Sequence, residues 1–222
     1  MKIITIAAEK GGVGKSTLTA SLAVIAALHR RGARVGLLDA DPQGSLTAWW
    51  NTRLAEWPLI FCLVGTIGQT VASIEAEGLD FLFIDTPPGY SAIRAQAIEC
   101  ADFVLIPTGA GAFDVGGIQS TSEIAKRACV PFRVVLNRAA FRTRLTGDAV
   151  IALRELRDFI EPVVHARQPI MRAIESGRTV VETEPDTPGA AEMRGLWGEI
   201  AVVLAALPAR KWPRLARMRR AS

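Results

Sequence analysis

The stretch Glu9-Lys10-Gly11-Gly12-Val13-Gly14-Lys15-Ser16-Thr17 decides the fold of this chain. The short apolar run Ile3–Ala8 precedes it and predicts a strand, and the pattern over Ser16–Arg31 predicts a helix. A strand, a glycine-rich turn and a helix in this order form a cradle for phosphate. Glycines allow backbone N–H groups to converge on an anion, and the start of the helix contributes the positive end of its dipole. The stretch therefore predicts a phosphate-binding loop.

Two side chains of this loop have the chemistry to meet a nucleotide. Lys15 would reach the β- and γ-phosphates, and the hydroxyl of Ser16 would ligate Mg²⁺. The usual pattern has a glycine five residues before Gly14, where this chain has Glu9, and it has no counterpart of Lys10. The loop is therefore a variant that carries a second lysine.

The run Lys10–Thr17 reads K-G-G-V-G-K-S-T and resembles the deviant Walker A signature of the ParA/MinD family of ATPases. The resemblance implies hydrolysis of ATP with Mg²⁺, in which Lys15 both binds and catalyses. It also implies that Lys10 crosses to the nucleotide of a second copy of the chain, in a homodimer that forms with ATP. The nucleotide contacts predicted in this loop are Lys10, Gly11, Gly12, Val13, Gly14, Lys15, Ser16 and Thr17.

The composition is that of a globular protein with one basic end. The chain has 222 residues, of which 50% are hydrophobic and 22% are charged, and no apolar run in it is long enough to span a bilayer. Six of the 26 basic residues follow Leu207 without an acid, which leaves 20 basic against 22 acidic residues in the rest of the chain. We therefore expect one ATPase domain over residues 1–207 and a basic tail over residues 208–222.

Three cysteines, Cys62, Cys100 and Cys129, lie scattered in apolar stretches. An odd number of scattered cysteines is typical of reduced thiols in a core, and not of a disulfide framework. The first residues lead directly into a strand, without the features of a secretory signal. These observations predict a cytoplasmic protein.

Short apolar runs alternate with helical patterns along the chain. Continuous apolar strands are typical of a parallel sheet with helices on both faces, so the predicted fold class is α/β, a doubly wound and mainly parallel sheet of the P-loop type. The predicted strands are Ile3–Ala8, Arg34–Asp39, Leu59–Val64, Leu79–Asp85, Phe103–Pro107 and Phe132–Asn137, with Phe159–His165 as a further edge strand. The predicted helices are Ser16–Arg31, Gly68–Glu77, Ser91–Cys100, Val115–Ala128, Thr146–Arg157, Gln168–Ser176 and Gly189–Leu207. Such a sheet binds ligands at the carboxyl ends of its strands.

Two carboxylates one residue apart, Asp39 and Asp41, end the second predicted strand. Together with the Pro-Gln-Gly that follows, they resemble the A′ motif of the ParA/MinD family. The resemblance implies that Asp41 orients or deprotonates the attacking water and that Asp39 helps to order the Mg²⁺ shell. A metal between these carboxylates and a triphosphate is also physically reasonable, because unscreened negative charges repel each other.

The run Phe81–Gly89 is an apolar strand that ends in Asp85 and continues as Thr-Pro-Pro-Gly. It resembles a Walker B motif followed by the second switch of the family. By this resemblance Asp85 would hold Mg²⁺ through water, and the amide of Gly89 would sense the γ-phosphate. The metal site predicted from all motifs consists of Ser16, Asp39 and Asp85.

Asn137 and Arg138 follow the last predicted strand of the sheet. In the family that this chain resembles, an asparagine after the late strand contacts adenine, and Asn137 matches it. Arg138 would stack on the base or lie on the surface, and the sequence leaves both options open. Amides are also common in turns for purely structural reasons.

The resemblance covers nearly all of residues 2–207 and fits best the short, single-domain ParA partition ATPases. It implies a dimer that binds DNA nonspecifically when it holds ATP and is then associated with the nucleoid. It also implies a ParB-like or cargo-adaptor protein that stimulates slow hydrolysis, and a plasmid, a chromosome or a protein assembly as cargo.

The basic tail leaves one alternative open, a membrane-surface ATPase of the MinD kind. Two prolines, Pro208 and Pro213, interrupt helix formation in the tail and leave Arg214–Arg220, which is too short and too polar for firm insertion into a bilayer. Backbone phosphates of DNA require only positive charge at sufficient density. The sequence therefore favours DNA over a membrane as the surface that the tail contacts. A carrier of metal clusters is disfavoured, because Cys100 and Cys129 lack glycine-rich surroundings.

Overall fold

Alternating strands and helices make up the computed structural model, which describes residues 1–29, 32–89 and 91–208. The strands are β1 (Lys2–Ile6), β2 (Val35–Asp39), β3 (Leu59–Cys62), β4 (Phe81–Asp85), β5 (Phe103–Thr108) and β6 (Phe132–Leu136). The helices are α1 (Lys15–His29), α2 (Ser45–Asn51), α3 (Ile67–Glu75), α4 (Ala92–Cys100), α5 (Ala112–Arg127), α6 (Arg144–Arg154), α7 (Gln168–Glu175), α8 (Val180–Thr183) and α9 (Pro188–Ala206). The predicted tail beyond Pro208 lies outside the described residues.

The strands form one sheet in the order β3-β2-β4-β1-β5-β6, and every pair of neighbours is parallel. Successive residues of a strand face opposite layers of helices. On β5, Phe103 and Leu105 belong to a core cluster with α1 and α9, whereas Val104 and Ile106 belong to a cluster with α4 and α5. Burial on both faces explains why the strands are continuous apolar runs. The predicted α/β fold class is confirmed.

Helix α9 covers one face of the sheet, as its sequence predicts. Thr187 is its N-cap, with a hydroxyl that accepts a hydrogen bond from Ala190 N at 3.4 Å, and Pro188 occupies its first turn. Trp197 is 3% exposed, and its ring meets Phe81 edge-on, with 5.5 Å between centroids. Such an aromatic pair contributes about 1 kcal/mol beyond the burial of its area. Among the described helices, none combines the length and the apolar character needed to cross a bilayer.

The prediction that all three cysteines are core thiols is wrong for two of them. Cys100 is buried, but Cys62 and Cys129 are exposed. Cys62 is the last residue of β3, which is an edge strand, and Cys129 follows α5 with a φ of 54°. Apolar neighbours in the sequence therefore did not indicate burial at these two positions.

The prediction of an edge strand over Phe159–His165 is also wrong. This segment makes only two isolated parallel bridges, Val134 to Phe159 and Ala139 to His165. Pro162 lies between them and has no N–H to donate to a ladder. The segment still accompanies β6, because Ile160 N donates to Val134 O at 2.9 Å.

The sequence analysis missed two short helices, α2 and α8, which are connected through residues in and next to them. Trp49 of α2 donates its indole N–H to Arg178 O at 3.1 Å. Arg53, just after α2, forms an ion pair with Glu182 of α8 at 2.7 Å. Between these contacts Gly177 has a φ of 69°, and a Cβ on it would lie 2.5 Å from the backbone of Thr52. This junction therefore requires glycine both for its backbone conformation and for its close approach.

We expect Gly177→Ala to lower the free energy of unfolding by about 2 kcal/mol or more, because the methyl group meets backbone and the φ disfavours an L side chain. Gly198→Ala is the matched control, since Gly198 lies in α9 with no atom within 4 Å of an added Cβ. That change should raise stability by up to about 1 kcal/mol through helix propensity. Urea unfolding measures both variants, and equal effects would contradict the close approach.

Candidate functional site

The loop between β1 and α1, for which the sequence predicts a phosphate cradle, lies at the carboxyl edge of the sheet. Gly12 and Gly14 adopt φ values of 77° and 85°, which other residues rarely adopt. A Cβ on Gly14 would lie 2.6 Å from the side-chain nitrogen of Asn137. Glycine at this position therefore permits both the turn and the contact with the neighbouring loop.

The turn after β6 supports the phosphate loop from the side. The amide of Asn137 donates to Val13 O at 2.7 Å, and the guanidinium of Arg138 donates to Gly12 O at 2.6 Å. Asn137 is 3% exposed, so this hydrogen bond is buried. Both residues thus contact the main chain of the loop, and the predicted contact of Asn137 with adenine stays a prediction.

Two charged side chains are buried where the loop meets the sheet. Burial lowers the pKa of Lys15, and the nearby Asp85 and Asp41 oppose this effect. Burial also raises the pKa of Asp85 to about 7, although a hydrogen bond from Ser16 and the charge of Lys15 act in the other direction. The Oδ2 atom of Asp85 has no hydrogen-bond partner within the part of the chain that the structure describes. A buried carboxylate oxygen of this kind is costly unless a cation or a donor meets it.

Asp39 lies beside Asp85, because the two residues are register partners on β2 and β4. The backbone N–H and the hydroxyl of Thr47 donate to Asp39 Oδ2 at 2.8 and 2.7 Å. The N–H of Asp41 donates to Asp39 Oδ1 at 3.2 Å. Asp39 is thus fixed by the start of α2, and the sequence analysis missed the contribution of Thr47.

Asp41 differs from Asp39 in its surroundings. It is only partly buried, and Gln43 N donates to its Oδ1 at 3.0 Å within the same turn. A partly solvated carboxylate at the rim of the cradle is suited to hold a water molecule. The structure therefore brings Lys15, Ser16, Asp39, Asp41 and Asp85 together, as the motifs predicted.

The donor set of this site fits magnesium. The described residues contain no group of three or more His, Cys, Asp or Glu placed to hold a metal ion. Magnesium typically takes one or two carboxylates and completes its shell with water and phosphate oxygens. Asp85, with its unpartnered oxygen, Asp39 and the hydroxyl of Ser16 would meet this requirement when a nucleotide is bound.

The loop after β4 is joined to the phosphate loop through main-chain atoms. Gly89, with a φ of 78°, donates its N–H to Glu9 O at 2.6 Å. The carboxylate of Glu9 accepts a hydrogen bond from Ser120 of α5. To sense a γ-phosphate, the Gly89 amide would have to break its hydrogen bond to Glu9 O and donate to the phosphate instead. Glu9, which departs from the usual motif, therefore links the phosphate loop to two other elements.

A cavity of about 320 Å³ adjoins the loop on the side of β6. Thr17 from α1 lines it, together with Asn137 and Arg138 from the turn after β6. Its remaining wall is the segment 164–168 with Ile170, Met171 and Met193. The sequence analysis assigned no role to this wall. It could not do so, because the contact of the wall with Asn137 depends on the path of the chain after β6.

The chain is similar in sequence to known nucleotide-binding proteins. The model of the CobQ/CobB/MinD/ParA nucleotide binding domain matches residues 4–180. Maintenance of carboxysome distribution protein A of Gloeobacter kilaueensis is 33% identical over 192 residues, which cover 82% of this chain and 84% of that protein. Chromosome-partitioning ATPase Soj of Thermus thermophilus is 28% identical over 239 residues, with 89% and 94% covered.

Solved structures share the fold. An McdA variant of Cyanothece in complex with ATP has a TM-score of 0.72 at 20% identity and covers 95% of this chain and 99% of its own. The septum site-determining protein MinD of Pyrococcus horikoshii, complexed with Mg-ADP, has a TM-score of 0.71 at 18% identity, with 91% and 97% covered. The same fold in those proteins accommodates a nucleotide.

We expect Lys15→Ala to abolish ATP binding, because it removes the charge nearest to the phosphates. Asp41→Ala should keep ATP binding and slow hydrolysis by at least about 100-fold, since Asp41 is placed to position water and not to hold the loop. Calorimetry measures the binding, and phosphate release measures the turnover. Hydrolysis at the parent rate in both variants would contradict the assignment of the loop.

Proposed function

This chain belongs to the CobQ/CobB/MinD/ParA nucleotide-binding domain family and is an ATPase, and from that premise we propose that it is a ParA-like positioning or partitioning ATPase. In this proposal the Mg²⁺·ATP form is a dimer that binds DNA without sequence preference. A ParB-like or cargo-adaptor protein stimulates slow hydrolysis and releases the DNA. The observation that carries the proposal is the buried Asp85, whose free oxygen lies beside Asp39 and the phosphate loop.

The nature of the cargo is proposed from the relatives. The names of the two relatives refer to the distribution of carboxysomes and to the partitioning of chromosomes. Both tasks place a large object within the cell. We therefore propose a plasmid, a chromosome or a protein assembly as cargo of this chain, in the cytoplasm and on the nucleoid while ATP is bound. Residues 1–207 would form the ATPase domain and residues 208–222 a basic tail.

The chemistry that we propose follows from the charges in the site. Lys15 binds the β- and γ-phosphates, and the loop amides of residues 10–17 surround them. Mg²⁺, held by Ser16, Asp39 and Asp85, would neutralise charge that develops between the β- and γ-phosphates. Asp41 orients the attacking water and accepts its proton. The amide of Gly89 exchanges Glu9 O for the γ-phosphate, which would report the presence of ATP to the loop after β4.

The cavity beside Thr17 is proposed as the site of the base. Asn137 and Arg138 line it and also hold the phosphate loop through Val13 O and Gly12 O. A base in this cavity would therefore lie next to the residues that shape the phosphate cradle. This arrangement supports the predicted contact of Asn137 with adenine, and the guanidinium of Arg138 would lie at the rim of the base site.

Dimerisation is proposed to occur across the exposed side of the phosphate loop. Lys10, Gly11 and Gly12 are exposed, and they line a second cavity of about 310 Å³ with residues 109–111 and Leu145. Lys15 already serves the nucleotide of its own subunit. Lys10 is exposed in the same loop, and in this proposal it reaches the nucleotide of a partner, where it would stabilise the charge on the γ-phosphate.

We expect Lys10→Ala to bind ATP with little change while losing dimerisation with ATP and stimulated hydrolysis, because the charge acts on the other subunit. Lys126→Ala is the control, since Lys126 lies in the last turn of α5 and contacts Phe132. Analytical ultracentrifugation with a nonhydrolysable ATP analogue measures the dimer. A Lys10 variant that dimerises and turns over normally would exclude the role in trans.

DNA binding is proposed to depend mainly on the tail, because several arginines of the body form ion pairs with acidic side chains. Arg172 forms an ion pair with Glu184 at 3.0 Å, and Arg144 forms one with Asp148 at 3.7 Å. The segment Glu184–Gly189, where relatives in the resembled family often carry basic residues, has two acids and no basic residue in this chain. The six basic residues after Leu207 have no acid among them.

We expect the intact chain with ATP to bind duplex DNA of any sequence, with affinity that falls steeply as salt rises. Truncation after Leu207 should make the slope of log affinity against log salt concentration less negative by up to about 5, because six charges would no longer displace counterions. ATP hydrolysis without DNA should stay unchanged. Fluorescence anisotropy with two unrelated duplexes measures the slope.

The same assay distinguishes DNA binding from the MinD-like alternative, which Trp212 and the charges of the tail suggest. Vesicles with anionic lipids replace the duplex in a parallel titration. Strong binding to vesicles with none to DNA would contradict the proposed DNA-binding function and would favour a membrane-surface ATPase.

A further inference from the structure

One face of α9 forms the back of the cavity beside the phosphate loop. Met193 lines the cavity. Gly189 lies four positions before Met193 in the helix, and Glu192 lies one position before it. Residues three and four positions apart lie on the same side of a helix, so Gly189, Glu192 and Met193 all face the cavity wall. A Cβ on Gly189 would lie 3.2 Å from Arg167 Cδ and 3.4 Å from Ile170 Cγ1. The first two turns of α9 are therefore tightly packed against this wall.

Glu192 joins the wall to the helix through four polar contacts. Its Oε2 accepts hydrogen bonds from His165 N at 3.1 Å and Arg167 Nε at 3.2 Å. Its Oε1 lies 2.9 Å from His165 Nδ1 and accepts from a terminal nitrogen of Arg167 at 2.5 Å. Burial alone would raise the pKa of Glu192, but the hydrogen bonds from Arg167 and His165 outweigh burial and lower it. The side chain is 14% exposed and stays ionised near neutral pH.

The opposite side of the same wall is joined to the turn that supports the phosphate loop. Val164 N donates to Leu136 O at 2.9 Å, and Ala139 N donates to Val164 O at 3.1 Å. Ala166 N donates to Ala139 O at 2.9 Å. The segment 164–168 thus lies between the Asn137–Arg138 turn and α9, and each neighbour fixes one of its sides.

We infer that Glu192 is a positioning residue for the nucleobase. It holds His165 and Arg167 in place and thereby fixes the width of the cavity that the base enters. The inference rests on the proposed function, because it takes this cavity as the site of the base. In the described structure, the polar contacts of Glu192 are those with His165 and Arg167, and they include none of the predicted phosphate or metal ligands. We therefore expect the loss of Glu192 to weaken the contact with the base more than the contacts with the phosphates.

The network explains why a carboxylate is required at this position. Arg167 also lies 5.4 Å from the ring centroid of Phe141, so its guanidinium is held by a charge and by an aromatic ring. An amide at position 192 keeps one acceptor oxygen, but it loses the charge and presents an N–H₂ group toward the donors of Arg167. The loop would then lose two charge-assisted hydrogen bonds, which are stronger than neutral ones.

The test compares Glu192→Gln with Glu161→Gln in the full-length protein. Glu161 accepts two hydrogen bonds from Arg154, as close as 2.6 Å, on an exposed surface outside the cavity. Binding of Mg²⁺·ATP and of inorganic triphosphate with Mg²⁺ is measured by competition against a fluorescent ATP analogue. We expect Glu192→Gln to weaken ATP binding about tenfold and to leave triphosphate binding unchanged. Glu161→Gln should change neither.

A second variant tests whether the pair acts as a unit. Arg167→Gln should weaken ATP about as much as Glu192→Gln, and the double variant should lose no more than either single one. Unchanged ATP affinity in Glu192→Gln would overturn the inference, and so would an equal loss for ATP and triphosphate, which indicates general destabilisation. Absence of ATP binding by the parent chain would instead overturn the proposed function itself.

Discussion

The burial of Lys15 and Asp85 at the carboxyl edge of the sheet is the constraint on which the rest of the site depends. A parallel sheet covered by helices on both faces leaves little water for side chains at the ends of its inner strands. Burial disfavours the charged form of both groups, so it lowers the pKa of Lys15 and raises that of Asp85. Lys15 and Asp85 offset each other's charge only in part, because burial remains the largest influence on both pKa values, and a bound phosphate and metal ion would add further opposite charge. We therefore expect the site to be most stable when it is filled with both.

The elements around these two charges are joined by short contacts, so that filling the site would affect several of them. Asp39 is bonded to Thr47 at the start of α2, and Gly89 is bonded to Glu9 in the phosphate loop. The C-terminal end of α2 is bonded in turn to residues 177–182 through Trp49 and Arg53. A displacement of Asp39 toward a metal would therefore be transmitted to the junction of α2 and α8. These contacts provide a physical route from the nucleotide to the surface of the molecule.

The sequence predicted the parts of the structure that local patterns determine. The strands were recognisable because burial on both faces leaves continuous apolar runs, and the phosphate loop because glycines with positive φ occupy fixed positions in it. Helix α2 was missed because its seven residues, which include Trp49 and Trp50, show no clear period. Glu192 was missed because its partners His165 and Arg167 lie 27 and 25 residues away, and only the packing of α9 brings them together. The exposure of Cys62 depends likewise on the order of the strands, which puts β3 at the edge of the sheet. The exposure of Cys129 depends on the turn that follows α5.

The most direct test of this account is calorimetry of the intact chain with ATP at several concentrations of Mg²⁺. Because the free oxygen of Asp85 requires a cation and Lys15 requires a phosphate, each ligand should strengthen the binding of the other. The account predicts one nucleotide bound per chain, with an affinity that rises with Mg²⁺ until the metal is saturating. Saturable binding of ATP with an affinity independent of Mg²⁺, or no binding at any concentration of the metal, would contradict it.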